Sequence, residues 1–169
     1  VEKFFLVSEN QTAEIDTNTT VLEKKIAGCQ MVLETLIDIE ITEEILILTE
    51  KHMDEIYDLI GLVMPGFYRR RGFEMGRFFG IFKNGKLIAI SGQRMQADDF
   101  IEVSSVVTHP DHTRKGYAKQ LITHTTKEIL KENKLPILHT NKGNIAISLY
   151  EKIGYKFTRD MNWWLYSRK

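Results

Sequence analysis

A chain of 169 residues with 43% hydrophobic and 27% charged residues can bury one core, which excludes global disorder. Lysine plus arginine and aspartate plus glutamate number 23 each, so no net field draws the protein onto nucleic acid or an acidic membrane. Cys29 is the only cysteine, which forbids an intramolecular disulfide and fits a reducing cytoplasm; no run reaches the roughly 18 apolar residues of a membrane span, and Glu2, Lys3, Glu9 and Glu14 interrupt any signal peptide.

In chain order, residues 4–7 read as a short strand and the polar run 9–20 as a loop. Cys29, Met31 and Leu33 alternate within residues 26–34, a strand pattern. Residues 1–43 are expected to form a β-rich extension, too small for a core of its own, packed on a main domain of residues 44–169. Residues 45–48, Ile-Leu-Ile-Leu, read as a buried strand. Thr49 suits the N-cap of a helix carrying Met53, Ile56, Tyr57 and Ile60 on one face, ended by Gly61 and Pro65-Gly66. The loop 67–76 holds Arg69, Arg70 and Arg71, a solvated run rather than a binding patch. Strands 77–82 and 86–91 are joined by Asn84-Gly85, which suits a type I′ turn because both central residues need positive φ. Residues 100–108 form a further strand, broken by His109-Pro110.

A helix follows over about residues 115–132, with Tyr117, Leu121, Thr125 and Ile129 along one stripe. Pro136 introduces a strand at 137–140. The helix 144–153 stops at Gly154, a good residue just past a helix end. Residues 155–159 and 163–167 read as a terminal hairpin, whose Trp163-Trp164 suit either core packing or a homodimer interface. Strand–helix–strand units beside an Asn-Gly hairpin imply an α/β fold: a mixed sheet with helices on both faces.

Three clusters carry chemistry. In Val106-Val107-Thr108-His109-Pro110-Asp111-His112-Thr113-Arg114-Lys115-Gly116-Tyr117-Ala118 a strand ends, a loop turns and a helix begins at a glycine followed closely by a small residue. Free N–H groups and the positive helix end converge there, so a phosphate can sit there, with Arg114 and Lys115 adding charge; taken alone, the stretch is equally an ordinary tight turn. No dinucleotide-binding or P-loop glycine pattern occurs anywhere. In the second cluster, residues 144–155, Ala146, Tyr150 and Ile153 share a helix face, which by itself reads as core packing. The third is Glu102, placed by alternation on one strand face with Ser104, Val106 and Thr108. A carboxylate on an apolar strand must be paired, solvated or functional. His109, His112 and His139 lack a further close pair, so no metal site is expected. No nucleophile-elbow glycine pattern occurs either.

Together these clusters resemble the GNAT superfamily of N-acetyltransferases. EVSSVVTHPDHTRKGYAKQL (residues 102–121) is similar to its cofactor motif, a strand, then R/Q-x-x-G-x-G/A, then a helix; NIAISLYEKIGY (residues 144–155) is similar to its C-terminal motif. The details CQMV, PGF, GQRM and SSVVTHPDH look most like the subgroup of glycine N-acyltransferase-like bacterial enzymes. The resemblance implies a mostly antiparallel twisted sheet and acetyl-CoA as co-substrate, without a metal. The backbone of Val106, Val107 and Thr108 would hold the pantetheine arm. Thr113, Arg114, Lys115, Gly116, Tyr117 and Ala118 would wrap the pyrophosphate, and Asn144 would reach the pantetheine or acyl region. Tyr150 would protonate the departing thiolate, and Glu102 would be the general base through water.

The implied reaction is direct acetyl transfer to a primary amine on a small molecule or peptide, with no covalent enzyme intermediate. A non-catalytic acyl-CoA sensor on the same fold, or transfer of a longer acyl chain, are the competing readings. Thr113 stands where the family motif has Arg or Gln, so the pyrophosphate would be held either less tightly or mainly by backbone amides, and this departure leans toward the sensor reading. A phenol of pKa about 10 donating to a thiolate whose acid has pKa about 8.5 is uphill by roughly 2 kcal/mol. Burial is expected to raise Glu102 toward a useful base.

Overall fold

The structure is a computed structural model that describes residues 3–9, 15–66 and 70–169. Its elements in chain order are β1 (Lys3–Ser8), β2 (Thr20–Leu33), β3 (Leu46–Leu48), α1 (Met53–Val63), β4 (Phe78–Lys83), β5 (Lys86–Gln96), β6 (Phe100–Thr108), α2 (Tyr117–Lys131), β7 (Leu135–Asn141), α3 (Ile147–Ile153) and β8 (Tyr155–Arg168). The strands form a single sheet in the order β1-β8-β2-β7-β6-β5-β4-β3. Every pairing is antiparallel except β6 with β7.

Local chemistry places most elements where the sequence puts them. Asn84 and Gly85 have φ of 52° and 73°, as the hairpin turn between β4 and β5 requires. Strand β6 spans the expected residues, and the stripe Tyr117, Leu121, Thr125 and Ile129 of α2 is buried. Thr49 caps a short 3₁₀ turn, Glu50–His52, that leads into α1.

Four expectations are corrected. Gly61 lies inside α1, and Tyr57 is exposed; the buried face is Ile56, Leu59 and Ile60, because the helix runs on to Val63. Strand β3 is an edge strand, with Leu46 and Ile47 42% and 56% exposed and only Leu48 buried. Part of the loop 67–76 is a 3₁₀ helix, Arg70–Met75, while Phe67 and Arg69 lie outside the described residues. The terminal hairpin is one 14-residue strand, β8. Its polar middle, Asp160-Met161-Asn162, reads as a turn in isolation, yet it pairs rung by rung with Cys29, Gly28 and Ala27 of β2.

Helices cover both faces. On one, α2 and α3 pack Ile122, Ile129, Tyr150 and Ile153 against Met31, Ile101, Val103 and Leu138. On the other, α1 packs Ile56, Leu59 and Ile60 against Phe78, Ile90 and Val107. Ile101 and Val103 thus point one way and Val107 the other, although all three are odd-numbered. A β-bulge reconciles them: the β5–β6 register shifts between Ile90 and Gly92, and Ser105 has φ of 51°. The expected common face of Glu102, Ser104, Val106 and Thr108 is therefore broken, and Val106 turns toward the α2–α3 side.

Gly154 ends α3 with φ of 110°, and a Cβ there would stand 1.8 Å from the Thr35 carbonyl oxygen. Gly154→Ala would combine a left-handed backbone with a backbone clash. The expected loss is about 2–4 kcal/mol, a melting point lower by about 5–15 °C in calorimetry; an unchanged melting point would show that the residue 34–37 segment yields freely.

Candidate active site

The parallel ladder between β6 and β7 runs from Phe100 opposite Leu135 to Val103 opposite Leu138 and stops there. Beyond that rung the strands part. Residues 104–108 of β6 continue past the fork, paired on the β5 side alone. Val106, Val107 and Thr108 therefore line an opening in the sheet, with main-chain groups on the β7 side outside any ladder. The bulge at Ser105 lies at the start of this stretch and re-aims it.

The strand leads through the 3₁₀ turn Pro110–His112 to α2. Arg114 and Gly116 both take left-handed backbone, φ 60° and 83°, and Gly116 is the N-cap. A Cβ built on Gly116 meets nothing within 4 Å. The glycine is thus needed for its conformation, and the space above it is open to an anion facing the free N–H groups of a 15-residue helix. Thr113 turns its hydroxyl inward onto the Pro110 carbonyl, and Lys115 Nζ reaches the Asp111 carbonyl. Tyr117 is buried against Phe79, Ile81 and Leu121, and Ala118 is half-buried. A groove of about 410 Å³ beside this turn is lined in part by Lys83, Lys86, His109, Asp111 and His112, two lysines and one aspartate among them.

Tyr150, on α3, belongs to the cluster that also takes Val103, Val106 and Ala146. Burial alone pushes its phenol up to about 12, with no opposing hydrogen bond, so it carries its proton throughout the physiological range. Asn144 stabilises the entry to α3: its Nδ2 donates to Thr140 Oγ1 at 2.7 Å, and its Oδ1 accepts from Ala146 N at 2.9 Å. Its amide is thus turned on its own loop.

Glu102 lies on the opposite face of the sheet. Its side chain is 1% exposed, and both oxygens are occupied. Arg94 donates through Nε to Oε2 at 2.8 Å and through Nη2 to Oε1 at 2.6 Å, His139 Nδ1 lies 2.9 Å from Oε1, and Met95 N donates to Oε2 at 3.4 Å. Burial pushes the carboxyl up, but His139 and Arg94 outweigh it and hold Glu102 below the usual carboxylate range. The expectation of a raised value is reversed, because the strand delivers two partners along with the burial.

The polar contacts extend sideways. His139 Nε2 is 3.1 Å from Gln30 Nε2, and Gln30 Oε1 accepts from Arg159 Nε at 2.8 Å. Sequence reasoning missed Arg94, Gln30 and Arg159, and weighed His139 for metal binding and, should Tyr150 play no part, as a proton source, but not as the base. The available signal was a polar residue inside each buried strand: Gln30 between Cys29 and Met31, His139 between Leu138 and Thr140. Among the described residues no group of three or more His, Cys, Asp or Glu could hold a metal ion, and no helix is long and apolar enough to cross a membrane.

The family described as FR47-like protein matches residues 78–165, from the start of β4 almost to the end of β8. A putative acetyltransferase of the GNAT family from Novosphingobium aromaticivorans superposes with a TM-score of 0.90 at 27% identity, over 99% of this chain and 75% of its own. A GNAT-family acetyltransferase from Colwellia psychrerythraea (TM-score 0.71, 14% identity, 96% of this chain and 64% of its own) shares the fold. So does the ribosomal-protein-S18-alanine N-acetyltransferase of Escherichia coli (0.62, 19%, 75% and 94%). The UPF0157 protein YqkA of Bacillus subtilis is 29% identical over 80 residues, 47% of this chain, which spans 23% of that protein's length. The forked parallel pair and the open glycine at the start of α2 both lie within the matched segment, which covers over half the chain, and the chain belongs to the FR47-like family of the GNAT acyltransferase superfamily.

Proposed function

We propose that this protein transfers an acetyl group from acetyl-CoA to a primary amine, small molecule or peptide, by direct attack with both substrates bound. The observation that carries the reading is the fork between β6 and β7, in a chain that also has the open N-cap Gly116 at the start of α2 and the protonated phenol of Tyr150 on α3. Residues 106–108 offer main-chain groups to the amides of a pantetheine arm, and the turn at residues 113–118 offers N–H groups to a pyrophosphate. Acetyl-CoA supplies the activated acyl group. Tyr150, on the α2–α3 side, donates a proton to the sulfur as the C–S bond breaks. The amine approaches from the face of Glu102, so the acyl carbon sits in the opening between the two faces.

Binding and turnover test this separately. Acetyl-CoA at 100 times its dissociation constant stabilises a protein by about 2.7 kcal/mol. For a chain of this size that is a melting point higher by about 5–10 °C. Release of free thiol from acetyl-CoA with a panel of amines then reports transfer. No thermal shift with saturating acetyl-CoA or CoA would overturn the binding reading; a shift without thiol release for any amine would leave a binding module in place of an enzyme.

A further inference from the structure

The row of polar side chains on the face opposite α2 and α3 has a direction. Arg159 Nε can only donate, so Gln30 presents Oε1 to it, at 2.8 Å. Thr158 Oγ1 lies 3.3 Å from the same oxygen. Gln30 must therefore present its NH₂ to His139, 3.1 Å away, and His139 Nε2 must be an acceptor. The imidazole proton then lies on Nδ1, 2.9 Å from the Glu102 carboxylate, which Arg94 clamps from its other side. One tautomer satisfies every contact.

Position adds to orientation. His139 is the first residue of β7 after Leu138, the last rung shared with β6. It stands at the apex of the fork, on the face opposite Tyr150, whereas Glu102 lies behind it with its oxygens filled. The Trp163 ring meets the imidazole edge to face at 6.1 Å, and it lies where a Cβ on Gly28 would be, 1.8 Å from Trp163 Cζ3. The His139 side chain is 3% exposed, and its Nε2 lone pair is covered by the Gln30 amide; an imidazole backed by a carboxylate on one nitrogen, with a displaceable donor on the other, is the arrangement of a general base and its orienting group.

We propose that His139, rather than Glu102, takes the proton from the acceptor amine, and that Glu102 and Gln30 are positioning residues that fix its tautomer. This rests on the acetyl-transfer reading. As the amine nitrogen forms its bond to the acyl carbon, one N–H proton passes to His139 Nε2, directly or through one water, displacing the Gln30 amide. The C–S bond breaks with its electron pair going to sulfur, which takes the Tyr150 proton. Glu102 stays ionised and faces the imidazolium. The charged groups around the ring are Glu102 on β6, Arg94 on β5 and Arg159 on β8, the last paired with Glu9.

The tautomer is read without any activity. Nitrogen-15 shifts of the wild-type protein at neutral pH should show His139 protonated on Nδ1 and bare on Nε2; a proton on Nε2 alone would overturn the proposal. Kinetics give the second arm. His139→Ala should lose about 10²–10⁴-fold in kcat with little change in acetyl-CoA affinity, and added imidazole should restore part of it. His139→Gln, which keeps a polar side chain between Glu102 and Gln30, covers a fold loss in the alanine variant. It should abolish the acidic limb of the pH–rate profile. Absence of imidazole rescue in a folded His139→Ala protein, or a limb that survives His139→Gln and vanishes in Glu102→Gln, would overturn the assignment. If wild-type protein turns over no amine at all, the acetyl-transfer reading fails, and the proposal fails with it whatever the tautomer.

Discussion

Gly116→Glu is expected to reduce acetyl-CoA affinity at least a hundredfold while the protein still folds. A Cβ at Gly116 meets no heavy atom within 4 Å, so the substitution strains the backbone at φ 83° but brings no clash at the Cβ. What the glutamate side chain would meet is the proposed pyrophosphate. A carboxylate about 5 Å from one phosphate charge, at an effective dielectric of about 20, costs about 3 kcal/mol, and the second charge adds to that. Gly116→Ala separates charge from conformation. It also places a Cβ at φ 83°, a strain of about 1 kcal/mol, but brings no charge. The alanine variant should bind within about tenfold of wild type in calorimetric titration. Wild-type affinity in the glutamate variant would move the phosphates elsewhere.

Tyr150→Phe should cost about 10²–10⁴-fold in kcat, the usual range for one general acid. With the phenol raised to about 12 and a thiol near 8.5, stepwise proton transfer is uphill by about 5 kcal/mol. Transfer concerted with C–S cleavage avoids that step, so the hydroxyl matters only while the bond breaks. Its stability signature differs from that of an ordinary buried tyrosine. Burial is opposed by no hydrogen bond, so deleting the hydroxyl should leave the melting point unchanged or slightly higher. Tyr155 is the control: its hydroxyl bonds Thr126 Oγ1 at 2.7 Å, and Tyr155→Phe should lower stability by about 1 kcal/mol with kcat nearly intact. Near-normal kcat in folded Tyr150→Phe would remove the phenol from the reaction.

The parts of this fold legible in the sequence are those that local chemistry dictates. Asn84-Gly85 admits one turn, Gly154 ends a helix, and the stripe from Tyr117 to Ile129 fits a helix with one buried side. The β8 strand was illegible because Asp160 and Asn162 look like turn formers until β2 supplies a partner for each rung. The bulge at Ser105 had no marker, since serine carries no glycine-like signal for positive φ. The phosphate-side turn could be found because it is continuous in sequence. The row from Arg94 to Arg159 could not: its contacts join residues up to 129 positions apart, and only the assembled sheet sets them side by side.

The position of β8 between β1 and β2 has a consequence for how the protein comes to exist. Among the described residues, rungs to β7 cover β2 only from Gly28 to Val32, its earlier residues pair with β8 alone, and β1 has no other neighbour in the sheet. Translation is vectorial, so β1 and β2 leave the ribosome well before β8 and wait for it. Lys3 meets Ser167 across nearly the whole length of the chain. Such contacts raise contact order, slow the final closure and keep β-prone segments exposed in the nascent chain. The central strands with α1 and α2 can condense first, and β8 then closes the sheet as its last seam.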